Sequence, residues 1–346
     1  MKNSDRGDLL KLLLASVLGL GFIVLSSLAN YTSVRDHIIA KEQRQLLTIA
    51  ESIVQNLENA FEYRRNSIRQ LRYNELFLAE LERYLETGCL SFSSLENYQA
   101  IMQENVTRVA LVTQEGQLLA AYPPQGTPHP IVAAEIDRAL RSRETVTGDV
   151  QRFEDGLFIS ILEPVVLGGQ VPVIISFELS LDSLYQQMVA PARVGTKGYA
   201  SVKDMNGVLL MHPDTADLGR EVIDARRSEF PQYDWSELEA LVQQQKRGES
   251  GVGTYHSVWY QDEVQRRIRK VNAFAPAWIS DRFWIVNVSA DYVELTAFIQ
   301  QKLYMMLISS AGVILISWPP CCTSIRSRRT GSGWRWRRAC RCASTS

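Results

Sequence analysis

The four histidines are the side chains of this 346-residue chain best suited to metal binding or acid–base chemistry. Either chemistry needs partners that converge on one point. The histidines stand at positions 37, 129, 212 and 256, and no two of them have the spacing that puts both on one face of a helix. The sequence also shows no nucleophile motif, phosphate-binding loop or zinc-type ligand spacing. It therefore predicts no catalytic residue, no metal site and no cofactor.

His212 closes a short apolar segment, NGVLLMHPD, that begins at Asn206. Asn206 and Gly207 predict a two-residue hairpin turn in which both residues adopt positive φ. Three interpretations of His212 follow: a structural residue at a strand end, a polar wall of a ligand pocket, or a metal ligand or general base. The isolation of the histidines favours the structural interpretation and leaves the pocket open.

The charge distribution argues against nucleic-acid binding. The formal net charge is −1, so the chain carries no overall positive field that would attract a polyanion. The run QRRIRK at residues 265–270 is only a local basic patch, because Asp262 and Glu263 directly precede it.

Two apolar runs bracket a charged middle. No charged residue occurs from Leu12 to Val34, a stretch that meets the roughly 20 residues needed to cross a bilayer. A second, shorter run covers 303–318. Basic residues precede the first run and follow the second, which predicts a membrane protein with both ends in the cytoplasm. Residues 30–302 are then extracytoplasmic, and the predicted location is the inner membrane of a cell.

Two alternatives remain for these runs. A cleaved signal peptide with its site near Ala29 would explain the first run, and two buried helices of a protein outside the membrane would explain both. In residues 30–302 the lone cysteine is Cys89. An intramolecular disulfide is therefore excluded there, and the fold must depend on its apolar core.

The last 28 residues differ from the rest of the chain. They contain seven arginines and four of the five cysteines, without apolar periodicity. The spacing of Cys321-Cys322 and of Cys340 and Cys342 does not match a structural zinc site. We therefore favour the hypothesis that a shift of reading frame replaced an original cytoplasmic segment, over a cysteine metal cluster.

A long helix is predicted from Asp36 to about Leu85, because proline and glycine are absent before Gly88. Apolar residues recur every seven positions in it, at Ile39, Leu46, Ile53 and Ala60. Such a stripe can pack along its own domain or pair with a second copy of the chain in parallel. Both arrangements are open.

Two similar α/β units follow the long helix. Strands are predicted in the first unit at 106–112, 117–122, 157–166 and 171–179, and in the second at 199–203, 208–212, 252–259, 268–277 and 282–289. Short helices are predicted at 131–141, 182–189 and 236–245. In order along the chain, Gly116, Pro164 and Asp182 correspond to Gly207, Pro276 and Asp291. These correspondences predict an internal duplication in which each proline interrupts a strand near its end.

This arrangement resembles the double Cache sensor domain. The resemblance is most specific in GTKGYASVKDMNGVLLMHPDTADLG, 195–219, and in RKVNAFAPAWISDRFWIVNVS, 269–289; in 88–190 it rests on the order of elements. It implies an α+β fold: a stalk helix and two PAS-like modules with antiparallel sheets, flanked by transmembrane helices. The predicted segments are a cytoplasmic N-terminus (1–11), a transmembrane helix (12–30), the stalk (31–87), a distal module (88–192), a proximal module (193–300), a second transmembrane helix (301–318) and the tail (319–346).

The resemblance also implies a small-molecule pocket between a sheet and the elements that cover one face. Candidates in the distal module are Tyr122, Arg152, Phe153, Phe158, Ser160 and Glu163. Side chains alternate along the strand, so Phe158 and Ser160 share one face and Glu163 lies on the other. Arg152 is a candidate for gripping a carboxylate through its planar fork. A sheet core with a solvated arginine explains the same residues, and no amino-acid-binding signature is evident.

The proximal module offers an alternative pocket. Its candidates are Tyr199, His212, Tyr255, Trp259 and Arg269, an aromatic and cationic lining. Ordinary core packing with a charged outer face is the competing interpretation.

In this family such a domain is the input of a histidine kinase, a diguanylate cyclase or a chemoreceptor. The expected function is a membrane-anchored, parallel homodimeric sensor for a small molecule of unknown identity, and not an enzyme. The alternatives are an envelope assembly protein that binds a protein partner and an exported, membrane-anchored enzyme. None of the cytoplasmic motifs of the kinases or cyclases is present in the sequence.

Overall fold

The computed structural model describes residues 2–102, 106–124, 129–262, 264 and 266–327. The chain divides into two units, one formed by Ile39–Leu295 and the other by the terminal segments Met1–Ile38 and Thr296–Ser346. Residues 328–346 of the predicted tail (319–346) lie outside the described residues.

Three helices begin the fold: α1 (Lys2–Leu71), α2 (Glu75–Thr87) and α3 (Ser93–Met102). The prediction of a single helix to about Leu85 is wrong, because the helix stops and restarts at Asn74. The Asn74 side chain accepts a hydrogen bond from the backbone N–H of Phe77 at 3.0 Å. A short polar side chain at this position stabilises a helix start. Gly88, at φ 72°, ends α2.

The distal module is a six-stranded antiparallel sheet with the order β2-β1-β6-β5-β3, in which β4 also pairs with β5. Its strands are β1 (Arg108–Val112), β2 (Leu118–Tyr122), β3 (Val146–Thr147), β4 (Gln151–Phe153), β5 (Gly156–Leu167) and β6 (Gln170–Ser180). Helix α4 (Ala133–Ser142) connects β2 to β3, and α5 (Leu181–Leu184) follows β6 and widens into one π-helical turn, Tyr185–Val189.

The proximal module is a five-stranded antiparallel sheet with the order β8-β7-β11-β10-β9. Its strands are β7 (Tyr199–Asp204), β8 (Leu209–Met211), β9 (Gly251–Ser257), β10 (Ile268–Ile279) and β11 (Arg282–Asp291). Helices α6 (Val222–Glu229) and α7 (Ser236–Gln245) lie between β8 and β9, and α8 (Tyr292–Ser327) continues directly from β11. Apart from β4, both sheets have the same connectivity. The predicted duplication of two antiparallel modules after a long helix is therefore confirmed.

The apolar stripe of α1 is buried inside this chain. Leu46 and Leu57 have no exposed surface and Ile53 is 3% exposed, and all three belong to the core that includes both sheets. Polar contacts hold the helix in the same place: Gln43 donates to the carbonyl of Gly253 at 3.2 Å. Leu46 and Ile53, two residues of the stripe considered for pairing between two copies, therefore pack inside their own chain.

Both strand prolines lie inside continuous strands, so the predicted interruptions do not occur. Pro164 stands opposite Ile174 in the β5–β6 ladder, and Pro276 opposite Ile285 in the β10–β11 ladder. On the other side, the pairing of β3 with β5 stops at Leu162 and that of β9 with β10 stops at Phe274. Each proline has only one strand beside it, and the N–H that it lacks is not needed there.

The turn at Asn206-Gly207 also differs from the prediction. Gly207 has φ 91°, whereas Asn206 is not among the positive-φ residues of the described chain. The Asp204 carboxylate explains the difference, because it accepts hydrogen bonds from the backbone N–H groups of Asn206 at 2.9 Å and Val208 at 2.8 Å. An aspartate that bonds its own turn in this way replaces the paired positive-φ geometry.

Among the described residues, the Val17–Leu71 part of α1 contains an apolar segment long enough to cross a membrane. Little of that segment is buried. This agrees with the first predicted span. The second predicted span lies in α8, mostly beyond residue 309, where the side chains are not described. That span stays a prediction.

Candidate functional site

A cavity of about 250 Å³ lies on the face of the distal sheet that is turned away from α1. The strand register explains its lining. Arg108 of β1 stands directly opposite Glu178 of β6, and Ser160 of β5 stands opposite Glu178 on the other side. The next β1–β6 pair on this face is Ala110 with Ser176. Directly opposed residues on one face are close neighbours, so a cation, a carboxylate and two hydroxyls share one cavity wall.

His129 covers this wall and joins two carboxylates. Its Nδ1 lies 3.0 Å from Oε2 of Glu178, and its Nε2 lies 3.0 Å from Oδ1 of Asp155. The ring stacks on Phe153, with centroids 3.9 Å apart and planes 15° apart, and lies 4.4 Å from the ring of Phe158. Glu178 is thus held at the boundary between the cavity and its cover.

Three of the six predicted distal residues lie at the cavity, and the other three lie outside it. Ser160 lines the cavity, while Phe153 and Phe158 hold the His129 ring at its edge. The structure brings these three together, as the alternation along β5 predicted for Phe158 and Ser160.

Tyr122 and Glu163 belong to the opposite face and do not line the cavity. The Tyr122 hydroxyl accepts a hydrogen bond from the backbone N–H of Phe92 at 3.4 Å, on the helical side of the sheet. Glu163 is fully buried and accepts from Arg72 Nη1 and from the Thr145 hydroxyl, each at 2.5 Å. Its carboxylate is already paired, and it fixes the end of α1 to β5.

Arg152 also lies outside the cavity. Its Nη1 donates to the backbone carbonyl of Leu218 at 2.7 Å, so β4 is tied to the proximal module. Gly219 packs against the same side chain: a Cβ there would lie 2.8 Å from Arg152 Nη1. The arginine predicted to grip a carboxylate is instead a contact between modules. It lines two grooves of about 490 and 450 Å³ between them.

Four of the five predicted proximal residues meet in one buried cluster. The Nε2 atom of His212 lies 3.2 Å from the Tyr199 hydroxyl, and the Tyr199 ring lies 5.5 Å from that of Trp259. The Tyr255 hydroxyl lies 3.2 Å from Ser289 Oγ on the same face. Lys270 completes the cluster, with Nζ 3.8 Å from the Trp259 ring centroid. Trp259 has no exposed surface, so these side chains fill the space themselves.

Burial makes His212 a neutral residue, and both ring nitrogens contact protein atoms. Nδ1 lies 3.0 Å from the backbone nitrogen and 3.1 Å from the carbonyl oxygen of Asp214, and Nε2 lies 3.2 Å from the Tyr199 hydroxyl. Burial lowers the pKa of His212 to about 4. Among the described residues, no group of histidines, cysteines and carboxylates could hold a metal ion. The structural interpretation of His212 therefore fits the geometry, and His212 also lines the groove of about 490 Å³, so its interpretation as a polar pocket wall stays open.

Arg269 is the fifth predicted residue and lies on the other face of β10. It packs over the Tyr292 ring at 4.5 Å and donates to Thr254 Oγ1 at 3.1 Å. The next residue, Lys270, is the one that enters the cluster. Burial lowers its pKa well below the usual lysine value, and the charge of Arg226 adds to that effect. The prediction is off by one residue, and in a strand a shift of one residue places the side chain on the opposite face of the sheet.

Sequence reasoning missed Arg108, Glu178 and the role of His129. One signal was available: Glu178 is the single charged residue in the apolar segment VPVIISFEL, two positions after Ser176. Polar residues two apart in an otherwise apolar strand share a face. Pairing that face with Arg108 needed the β1–β6 register, which no local pattern contains.

Solved structures with the same fold are sensor domains. The ligand-binding domain of the Pseudomonas aeruginosa PAO1 chemoreceptor PctB, in complex with L-Arg, matches with a TM-score of 0.51 and 19% identity, over 73% of this chain and 96% of that one. The ligand-binding domain of Mlp24 with asparagine matches at 0.52 and 15%, over 78% and 99%. A domain of a sensory box/GGDEF family protein from Vibrio parahaemolyticus matches at 0.55 and 12%, over 75% and 99%. The long helix and two PAS-like modules of this chain thus form the double Cache fold.

A curated relative is a chemotaxis receptor. The methyl-accepting chemotaxis protein McpC of Bacillus subtilis (strain 168) is 23% identical over 321 residues, which cover 85% of this chain and 46% of McpC. The chain therefore spans about half the length of that relative. No protein-family model matches the sequence.

Proposed function

We propose that this protein is the sensory part of a membrane-anchored receptor that binds a small amino acid or a similar zwitterion in the distal cavity. The observation that carries the proposal is the opposed pair Arg108 and Glu178 in one cavity. A guanidinium fork suits a carboxylate, and a carboxylate suits an ammonium group. Two charges of opposite sign, one strand apart, match the two ends of an α-amino acid.

Size and similarity support the same ligand class. A cavity of about 250 Å³ lies just below the usual range of ligand sites, which favours a small ligand over a bulky cofactor such as a dinucleotide. The PctB and Mlp24 domains are described in complex with L-Arg and asparagine. The proximal module serves a different role in this proposal, because its corresponding face is filled by Trp259 and Lys270.

The signal would leave through the proximal module. β11 ends at Asp291 and α8 begins at Tyr292, with no linker residue between them. In this proposal residues 30–302 lie outside the cytoplasm and two chains associate in parallel, through surfaces other than the buried Leu46 and Ile53. The chain is a receptor without enzymatic turnover of its own. Ligand binding acts by favouring one arrangement of the membrane helices over another. The size of this shift is limited by the difference in the ligand's affinity for the two arrangements.

A thermal-shift screen of residues 31–300 against the twenty amino acids tests the proposal. A ligand at a hundred times its dissociation constant adds about 2.7 kcal/mol to the stability of the folded state. We expect one or a few amino acids to raise the melting temperature, and Arg108→Gln and Glu178→Gln each to abolish the increase. Glu154→Gln, an exposed change outside the cavity, should leave it intact. Stabilisation that survives both cavity substitutions, or that no amino acid produces, would contradict the proposal.

A further inference from the structure

An open cleft of about 710 Å³ collects positive charge away from the distal cavity. Arg65 of α1 reaches it from one side, and Arg138 and Arg141 of α4 from another. Ser280, in the turn between β10 and β11, lies on the proximal module's side. The cleft is thus formed where the stalk helix, the distal module and the proximal module meet, and it shares no lining residue with the distal cavity.

The arginines are oriented by polar contacts but keep donors for a ligand. Arg65 Nη1 donates to Ser280 Oγ at 2.5 Å, and Ser280 lies 3.1 Å from Thr147 Oγ1. The Nε of Arg65 is buried and has no hydrogen-bond partner among the described residues. The guanidinium of Arg138 makes a long contact of 3.4 Å to the Thr147 carbonyl. A buried donor without an acceptor is costly, so the Arg65 side chain is not fully satisfied in this arrangement.

The electrostatic balance of the cleft is positive. Arg141 is 77% exposed, and its nearest carboxylate oxygen, on Asp137, is 3.8 Å away. The acid that lines the cleft is Asp281, which is 70% exposed and lies 3.5 Å from Arg282. Three guanidinium groups against two exposed carboxylates, Asp137 and Asp281, leave an excess of positive charge. Planar guanidinium forks recognise groups that present several oxygens at once.

We propose that this cleft is a second binding site, for a multivalent oxyanion of the phosphate or sulfate class. The anion would accept from Arg65, Arg138 and Arg141 together and so join α1, α4 and the β10–β11 turn. Because these elements come from the stalk and from both modules, occupancy would stabilise their present arrangement. The proposal is independent of the ligand assigned to the distal cavity.

Calorimetric titration of the full chain in detergent with inorganic phosphate, and separately with sulfate, tests this site. Sodium chloride at matched ionic strength is the reference. We expect saturable binding of one or both anions, weakened about tenfold or more by Arg65→Gln and by Arg141→Gln, since a hydrogen bond to a charged group contributes about that factor. Asp281→Asn should strengthen binding, because it removes the opposing charge. Arg69→Gln, an exposed arginine one turn beyond Arg65 on α1, is the matched control.

Three results would overturn the site. The first is a titration heat for phosphate and sulfate no greater than that for chloride, which would show only non-specific screening of the arginine charges. The second is equal affinity in Arg141→Gln and Arg69→Gln; Arg141 is exposed, so its replacement tests binding even if Arg65→Gln impairs folding. The third is weaker binding in Asp281→Asn, which would place the anion elsewhere.

Discussion

The imidazole of His129 and the carboxylate of Glu178 are 3.0 Å apart at the edge of the distal cavity. This contact joins a residue outside the sheet to the charged centre of the cavity wall. An ammonium group that enters the cavity would compete with the imidazole for the same carboxylate. Binding of such a group in the cavity would therefore weaken the contact that holds His129 over it.

Replacing His129 by alanine should destabilise the domain by about 2 kcal/mol, the value of a charge-assisted hydrogen bond to a largely buried carboxylate. The His129 side chain is 18% exposed and that of Glu178 is 11%. His256 pairs with Glu237 at the surface, 33% and 48% exposed, so His256→Ala should cost less than about 1 kcal/mol. Urea denaturation measures both. Equal losses would show that the His129 contact is no stronger than a surface pair.

Leu46→Ala should destabilise the folded domain by about 3 kcal/mol, because it leaves a cavity in a packed core. Leu46 has no exposed surface. Leu76→Ala, at a position 53% exposed on α2, should cost far less. Denaturation of the isolated residues 31–300 measures the difference. If Leu46→Ala altered only association between chains and left the unfolding free energy unchanged, the intramolecular packing of α1 would be wrong.

Arg72→Met should cost about 3 kcal/mol, because it leaves a buried carboxylate without its cation. Glu163 is fully buried, and the Arg72 side chain is 20% exposed. The double variant Arg72→Met, Glu163→Leu should recover part of the loss, since no uncompensated charge remains. Arg83→Met, at an exposed position on α2, is the control. A double variant less stable than the single one would show that Glu163 is stabilised mainly by other groups such as Thr145.

The buried His212 should make stability depend on acid. Its pKa is lowered from 6.5 to about 4 in the folded state by burial. Between these values the unfolded chain binds a proton that the folded chain does not, so stability falls as the pH is lowered from 6.5 to 4, by about 3 kcal/mol from this group. His212→Asn should show a smaller loss over the same interval. Urea denaturation measures the unfolding free energy of both proteins at each pH. If it fell equally with pH in the unmodified chain and in His212→Asn, His212 would not be a buried neutral imidazole.

Residues 30–302 should be accessible from outside the cytoplasm. A chain with Ser250→Cys, and with its native cysteines replaced, carries one thiol at an exposed position. A membrane-impermeant maleimide should label it in intact cells whose outer barrier has been made permeable. Labelling that appears only after lysis would place this region in the cytoplasm.

The sequence predicted nine of the eleven strands, because those nine carry a local signal; β3 and β4, two and three residues long, were not predicted. The apolar segments of β5, β6, β10 and β11 are bounded by turns such as Gly168-Gly169, which both adopt positive φ. The break at Asn74 was missed, since an asparagine flanked by good helix formers is compatible with both a cap and a helix interior. Both prolines were misjudged, because whether a strand tolerates proline depends on the length of its neighbour.

The site was less predictable than the fold. Alternation placed Phe158 and Ser160 on one face correctly, but it does not say which face is covered by helices and which encloses a cavity. Glu163 and Arg152 have the chemistry of ligand-binding residues, yet tertiary contacts to Arg72 and Leu218 already satisfy them. Such contacts join residues 91 and 66 positions apart, a separation over which no sequence pattern operates.

Pro164 and Pro276 also have a consequence for solubility. Each follows the point at which the neighbouring strand stops pairing, so a stretch of β5 and of β10 has one open side. Open strand edges invite pairing with other chains, and proline blocks that pairing because it has no N–H to donate. The duplication has kept this protection in both modules. Replacing the prolines should therefore allow these stretches of β5 and β10 to pair with other chains, and we expect the variants to aggregate during expression.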